Sequence, residues 1–220
     1  MRKHLKDMDG EGMKAKKVNQ GSELLIPRNE WVRETDIQGD EVKTLKCPMV
    51  EKAFQGILQL YKPKHRVALV SLCTASRPYS TSRKWKTFIE LFGDDADMII
   101  CSNGGIIPIE FERCYPYLTY DAHGEGKWDK LYINICYRRL MEFFTRFHYD
   151  KIVFNFRPGL RNRIAAQAFK RDYKGGSQVY ILPTVETYKE AQKAGFPSGK
   201  MFPDLDERVL KEIGTAIVRK

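Results

Sequence analysis

The stretch Arg66–Trp85, RVALVSLCTASRPYSTSRKW, decides the fold. Its first seven residues, RVALVSL, form a short apolar run after a charged and proline-containing segment, and predict a buried strand. From Trp85 to Phe92 the apolar residues return at helical spacing, which predicts a helix. The segment between them is then a loop at the carboxyl end of a strand, where open α/β sheets place their chemistry. It carries a thiol (Cys73), a guanidinium (Arg77) beside Pro78, a phenol (Tyr79) and several Ser and Thr hydroxyls, including Ser82.

The same rhythm extends in both directions. Met98–Cys101 (MIIC), Lys151–Phe156 (KIVFNF) and Gln178–Leu182 (QVYIL) predict three further strands. A helix is expected from Pro48, where Met49, Val50, Phe54, Ile57, Leu58 and Tyr61 share one face, until Pro63 forces extended backbone. A second is expected over Asp129–His148, with Leu131, Ile135, Leu140, Phe143, Phe144 and Phe147 as its apolar stripe. Others start near Asn162, after Thr184 as N-cap, and over Asp204–Val218. Strands alternating with helices predict an α/β three-layer sandwich around a mostly parallel four-stranded sheet. The loops Cys73–Ser82, Ser102–Pro108, Arg157–Arg163 and Leu182–Thr184 should converge on one crevice. Residues 46–220 read as one domain, and residues 1–45 as a lysine-rich flexible arm followed by an irregular wrapping segment.

Composition narrows the function. A formal charge of +10 over 220 residues favours an acidic partner, of which nucleic acid is the commonest, although many basic proteins bind none and charge alone does not choose it. Arg157, Arg161 and Arg163 are the candidate phosphate contacts. No apolar run nears the roughly 20 residues of a membrane span, and the polar start does not read as a secretory leader, so a soluble cytoplasmic protein is expected. Five cysteines without a C-x-x-C pair read as reduced thiols. The four histidines are scattered, so no metal site is expected. Neither nucleotide-binding glycine motif is present. Ser82, His123 and Asp121 could be assembled into a hydrolase triad, but G-x-S-x-G is missing. Ser102, Asn103, Gly104 and Gly105 read either as a ligand-contacting turn or as a plain tight turn.

The opening loop also carries an ordered set of residues, C-x-x-x-R-P-Y-x-x-S, at Cys73, Arg77, Pro78, Tyr79 and Ser82. It resembles the C-x-x-x-K-P-Y-x-x-S motif of the archaeosine synthase domain family, enzymes of archaeal tRNA modification. Pro48-Met49-Val50 resembles the family's segment before the first strand. Ile107-Pro108-x-Glu110-x-Glu112, Tyr115-Pro116, and Tyr120-Asp121 with Gly126 and Trp128 resemble its later signatures. The similarity spans roughly Cys47 to Phe156.

The resemblance implies a uracil-DNA-glycosylase-like fold and the addition of lysine to the nitrile of 7-cyano-7-deazaguanine in tRNA, with no redox cofactor. For that chemistry the residue types suit Cys73 as nucleophile, Asp121 as proton acceptor or ammonium anchor with Glu110 in support, and Arg77, Pro78, Tyr79, Ser82, Ser102, Asn103 and Gly104 around the base. Each has a plain alternative as a core, capping or surface residue. The family pattern has Pro, Lys and His where this chain has Leu72, Arg77 and Trp85, and full-length relatives carry transglycosylase-like and RNA-binding PUA regions. Two readings follow: an amidine-forming transferase, alone or with a partner subunit supplying those regions, and a divergent paralogue that binds tRNA without catalysis. A base-excision reading is disfavoured, because Cys73–Ser82 contains no Asp or Asn to activate water.

Overall fold

The periodicities above account for most elements of the computed structural model, which describes residues 23–32, 44, 46–118, 130–194 and 203–218. The expected arm over residues 1–22, and Tyr120, Asp121, His123, Gly126 and Trp128, lie outside the described residues. Five strands, β1 (Val67–Leu72), β2 (Asp97–Ser102), β3 (Gly105–Pro108), β4 (Lys151–Asn155) and β5 (Gln178–Leu182), form one sheet in the order β3-β2-β1-β4-β5. β1 is parallel to β2, with Leu72 opposite Cys101, and to β4, with Ser71 opposite Asn155; β4 is parallel to β5. β1, β2 and β4 are buried on both faces, as continuous apolar runs in a covered parallel sheet must be.

The sheet has five strands where the sequence predicts four. Residues 105–108, expected as part of a crevice loop, turn back on β2 as an antiparallel edge strand, pairing Ile100 with Ile107 and Ile99 with Pro108. Four residues ending in proline give no usable period. Proline is tolerated there because an edge strand needs no second ladder of donors. Gly105 has φ 116°, and a Cβ on it would stand 2.7 Å from the Arg139 guanidinium, so the tight-turn reading of the glycine pair holds.

Among the described residues there are six α-helices: α1 (Pro48–Leu60), α2 (Arg83–Phe92), α3 (Lys130–Arg146), α4 (Arg161–Asp172), α5 (Val185–Lys193) and α6 (Glu207–Val218). α1 starts on its proline and buries Val50, Ala53, Phe54, Ile57 and Leu58, close to the predicted face. α2 starts two residues earlier than predicted because Ser82 caps it, accepting the Trp85 N–H at 3.3 Å. α5 has its predicted cap, with the Thr187 N–H donating to Thr184 Oγ1 at 3.2 Å. α6 begins three residues after the expected start, since Asp206 receives the Arg208 N–H and Pro203–Leu205 form a separate 3-10 turn. Leu131, assigned to the apolar stripe of α3, is exposed; Tyr132 and Cys136 are buried on that helix. Phe144 of α3, Phe154 of β4 and Phe169 of α4 interlock with ring centroids 5.5–6.1 Å apart, and this aromatic seam fills the core on one face of the sheet. Burial of each such ring stabilises the fold by about 2–3 kcal/mol.

One polar network sits inside this core, at the amino end of the sheet. Asp97, 6% exposed, accepts the hydroxyls of Tyr61 at 2.8 Å and Tyr149 at 2.9 Å and the Lys64 N–H at 3.1 Å. Burial pushes both phenols well above the ordinary tyrosine range, and the neighbouring Asp97 charge adds to it. Replacing Asp97 by Ala leaves these donors without their carboxylate and is expected to lower unfolding free energy by about 3 kcal/mol in denaturant titrations. The phenols also set a pH dependence. Their native pKa values are raised, so their contribution is fully present below the unfolded tyrosine pKa of about 10 and is lost as pH rises further. Stability measured from pH 8 to 11 should therefore fall above about pH 10, and fall less in Tyr61→Phe/Tyr149→Phe.

Candidate functional site

Strand order dictates where a ligand can enter. The chain leaves β1 for β2 on one side and later places β4 on the other, so the order reverses at β1, and the segments that follow β1 and β4 leave room for a crevice at their carboxyl ends. A cavity of about 360 Å³ opens there, lined by Leu72–Ser76 after β1, Ser82–Lys84 at the start of α2, Arg157 and Leu160 after β4, and Asp204 before α6. The crevice therefore stands between β1 and β4. Ser102 to Leu118, the described part of the wall expected opposite the Cys73 loop, is not among its lining residues.

Cys73 lines the crevice, half-buried, with its N–H donating to the Cys101 carbonyl at 3.0 Å. The other motif residues mostly build the loop that presents it. Tyr79 is fully buried, its hydroxyl 3.2 Å from Ser102 Oγ and its ring under the Arg77 guanidinium at 4.2 Å. Arg77 donates to the carbonyls of Thr74 and Ser76 in its own loop, and its bond to Pro78 is cis. Ser82 lines the crevice and caps α2. Ser102 accepts the Gly104 N–H at 3.4 Å and, with Asn103 and Gly104, forms the β2–β3 turn beneath Tyr79, outside the crevice. The loop is tied down from outside by Glu112, whose buried carboxylate accepts the Ser80 N–H at 2.7 Å and its hydroxyl.

Other predicted residues go elsewhere. Glu110 follows β3, which runs back toward the amino end of β2, and pairs at 3.5 Å with Lys64, before β1 begins. The length of β1, roughly 20 Å, separates that pair from Cys73, so Glu110 does not stand at the crevice. Asp121 lies outside the described residues. Arg163 donates to the carbonyls of Phe156, Pro183 and Ile181 and holds the ends of β4 and β5. Arg161 stacks at 3.6 Å on Tyr132, and burial holds its guanidinium below the usual arginine range. Of the three predicted phosphate contacts, Arg157 alone lines the crevice. The departure at Trp85 is a core feature: the indole is fully buried against Phe88. Cys101 and Cys136 are also core thiols, with Sγ atoms 3.7 Å apart; that contact and burial push the Cys101 thiol up.

The sequence reading missed Lys84. It is 4% exposed, yet its Nζ reaches the crevice, where it donates to the Leu72 carbonyl at 2.6 Å and stands 3.5 Å from Asp204. The signal was its place one turn before Phe88, on the buried face of α2, where a lysine needs partners. No local signal marks Asp204, which reaches the site from some 120 positions downstream by tertiary folding alone. Replacing Lys84 by Met strips the Leu72 carbonyl and the Asp204 carboxylate of a buried cation. The expected loss is about 3 kcal/mol in denaturant titrations, with Asp204→Asn costing less because Lys84 keeps its carbonyl.

Known proteins share this architecture and sequence. A family model described as Domain of unknown function (DUF5591) matches residues 50–186. Archaeosine synthase subunit alpha of Methanosarcina acetivorans is 30% identical over 129 residues, 55% of this chain and 20% of that protein. Archaeosine synthase of Haloferax volcanii is 25% identical over 149 residues, 66% of this chain and 25% of that protein, and archaeosine synthase subunit alpha of Thermoplasma acidophilum 28% over 127 residues, 56% and 25%. The chain thus spans about a quarter or less of the length of these curated relatives. The crystal structure of AF0587, a protein of unknown function, superposes with a TM-score of 0.54 at 19% identity, covering 76% of this chain and 50% of that one, and shares the fold. With more than half of its length matched, the chain belongs to the DUF5591 family, the domain family it has in common with archaeosine synthases.

Proposed function

We propose that the chain is a tRNA-modification protein that adds lysine to 7-cyano-7-deazaguanine in tRNA, as one subunit of a divided archaeosine synthase. The observation that carries this reading is the position of Cys73, the motif thiol, on the wall of the crevice at the strand-order reversal. The thiolate adds to the nitrile carbon, a C–S bond forms as one C–N π bond breaks, and the nitrogen takes a proton to give a thioimidate. The neutral amine of lysine then attacks the same carbon. The C–S bond breaks, thiolate leaves, the proton lost by the amine is accepted by a base, and an amidine remains. Asp121 is the base this reading assigns, and the uracil-DNA-glycosylase-like sheet implied by the motif resemblance belongs to the same proposal.

Within the described crevice the carboxylate is Asp204, and Glu110 is remote. That observation favours a second reading, a tRNA-binding paralogue without catalysis, in which the loop around Cys73 survives as structure.

Incubating the protein with lysine and tRNA carrying the cyano base, alone and with partner subunits, and measuring nucleoside mass separates the two. The catalytic reading expects a mass gain of one lysine. Cys73→Ala should then cut the rate about 1,000-fold, or about 4 kcal/mol of activation free energy, without changing tRNA affinity. No mass gain in any combination would leave the binding reading; full activity in Cys73→Ala would remove the covalent step.

A further inference from the structure

The arginines at the carboxyl end of the sheet divide into two groups. Arg77, Arg161 and Arg163 are engaged with their own loop, with the Tyr132 ring, and with three backbone carbonyls. Arg83 and Arg157 both line the crevice, one from the start of α2 and one from the end of β4, and neither guanidinium has a carboxylate or carbonyl partner among the described residues. Lys84, the third cation of the lining, is matched by Asp204 and the Leu72 carbonyl. After that internal pairing the lining keeps two positive charges, both on planar forks that fit two oxygens of one oxyanion.

Two further features point the same way. The Thr74 hydroxyl is buried in the crevice wall and has no hydrogen-bond partner among the described residues. Leu160, also in the wall, is the N-cap of α4 and offers no side-chain cap, so the amino terminus of a 12-residue helix borders the same space. Leu72, Ala75 and Leu160 supply apolar surface beside these polar groups, and a volume of about 360 Å³ accommodates a nucleotide rather than an ion alone.

We infer that Arg83 and Arg157 form a guanidinium pair that takes the phosphate of a nucleotide, with the Thr74 hydroxyl donating to the same group, and that an RNA strand presents it. The inference rests on the tRNA reading above for the source of the phosphate, and on the crevice alone for the phosphate itself. Arg83 is new to the site, and Arg161 and Arg163 drop out of it. The pair seats the strand beside Cys73; it makes no bond to the reacting atoms.

The test compares Arg83→Gln/Arg157→Gln with Lys170→Gln/Lys174→Gln, which removes the same charge from exposed positions around the far end of α4. Circular dichroism melts establish that both are folded. Binding of tRNA is measured against salt concentration, and binding of guanosine 5′-monophosphate by calorimetry. The arginine variant is expected to bind tRNA about tenfold more weakly, with the slope of log affinity against log salt reduced by about two, and the lysine variant to change far less. Loss of guanosine monophosphate binding in the arginine variant, with no tRNA binding by the parent protein, upholds the phosphate site and sinks the tRNA reading. Equal losses of tRNA affinity in the two variants, or binding of neither ligand by the parent protein, overturns the inference. Lysine transfer is scored separately, so an intact guanidinium pair on an inactive protein remains distinguishable from an active protein that does not use it.

Discussion

A single contact, the ammonium of Lys84 on the carbonyl of Leu72, holds together the walls of the crevice. That carbonyl is the last group of β1, and the next residue is Cys73. The same ammonium reaches Asp204, so one buried charge joins the end of the central strand, the first turn of α2 and the segment that leads into α6. Burying a lysine is costly unless strong acceptors meet it. Here an unpaired carbonyl at a strand end and a carboxylate from a distant segment meet it together, and each would be poorly satisfied without the ammonium.

Around that point the motif loop is built from the inside out. Tyr79 is a buried prop under Arg77, Ser82 a helix cap, and Glu112 an external brace on Ser80. Residues that look like a row of catalytic groups in the sequence are mainly the frame that gives one of them, Cys73, a defined place. The half-buried thiol thus stands on a loop braced from both sides.

The sheet was legible because β1, β2, β4 and β5 are apolar runs between helical periods, and each has a length that strands favour. β3 was hidden, since Gly105–Pro108 is too short to show alternation and ends in a residue that weakens a strand reading. At the site, Cys73, Ser82 and Arg157 were reachable from the sequence as loop residues after strands. Glu110 was misplaced because the antiparallel return of β3 takes it to the opposite end of the sheet, and a reading that treats residues 102–108 as a loop cannot see that reversal. Arg163 illustrates a second limit. A guanidinium near a strand end serves carbonyls or phosphates equally well by type, and only the fold decides which.

The wall that carries Asp204 comes from beyond residue 186, where the family match stops. The walls of the crevice therefore have separate origins along this chain. The loop that presents the thiol lies within the matched residues, as do Arg157 and Leu160, whereas Asp204 comes from a segment outside them. A substitution at Asp204 would therefore change the charge facing that loop without altering any residue that the family match covers.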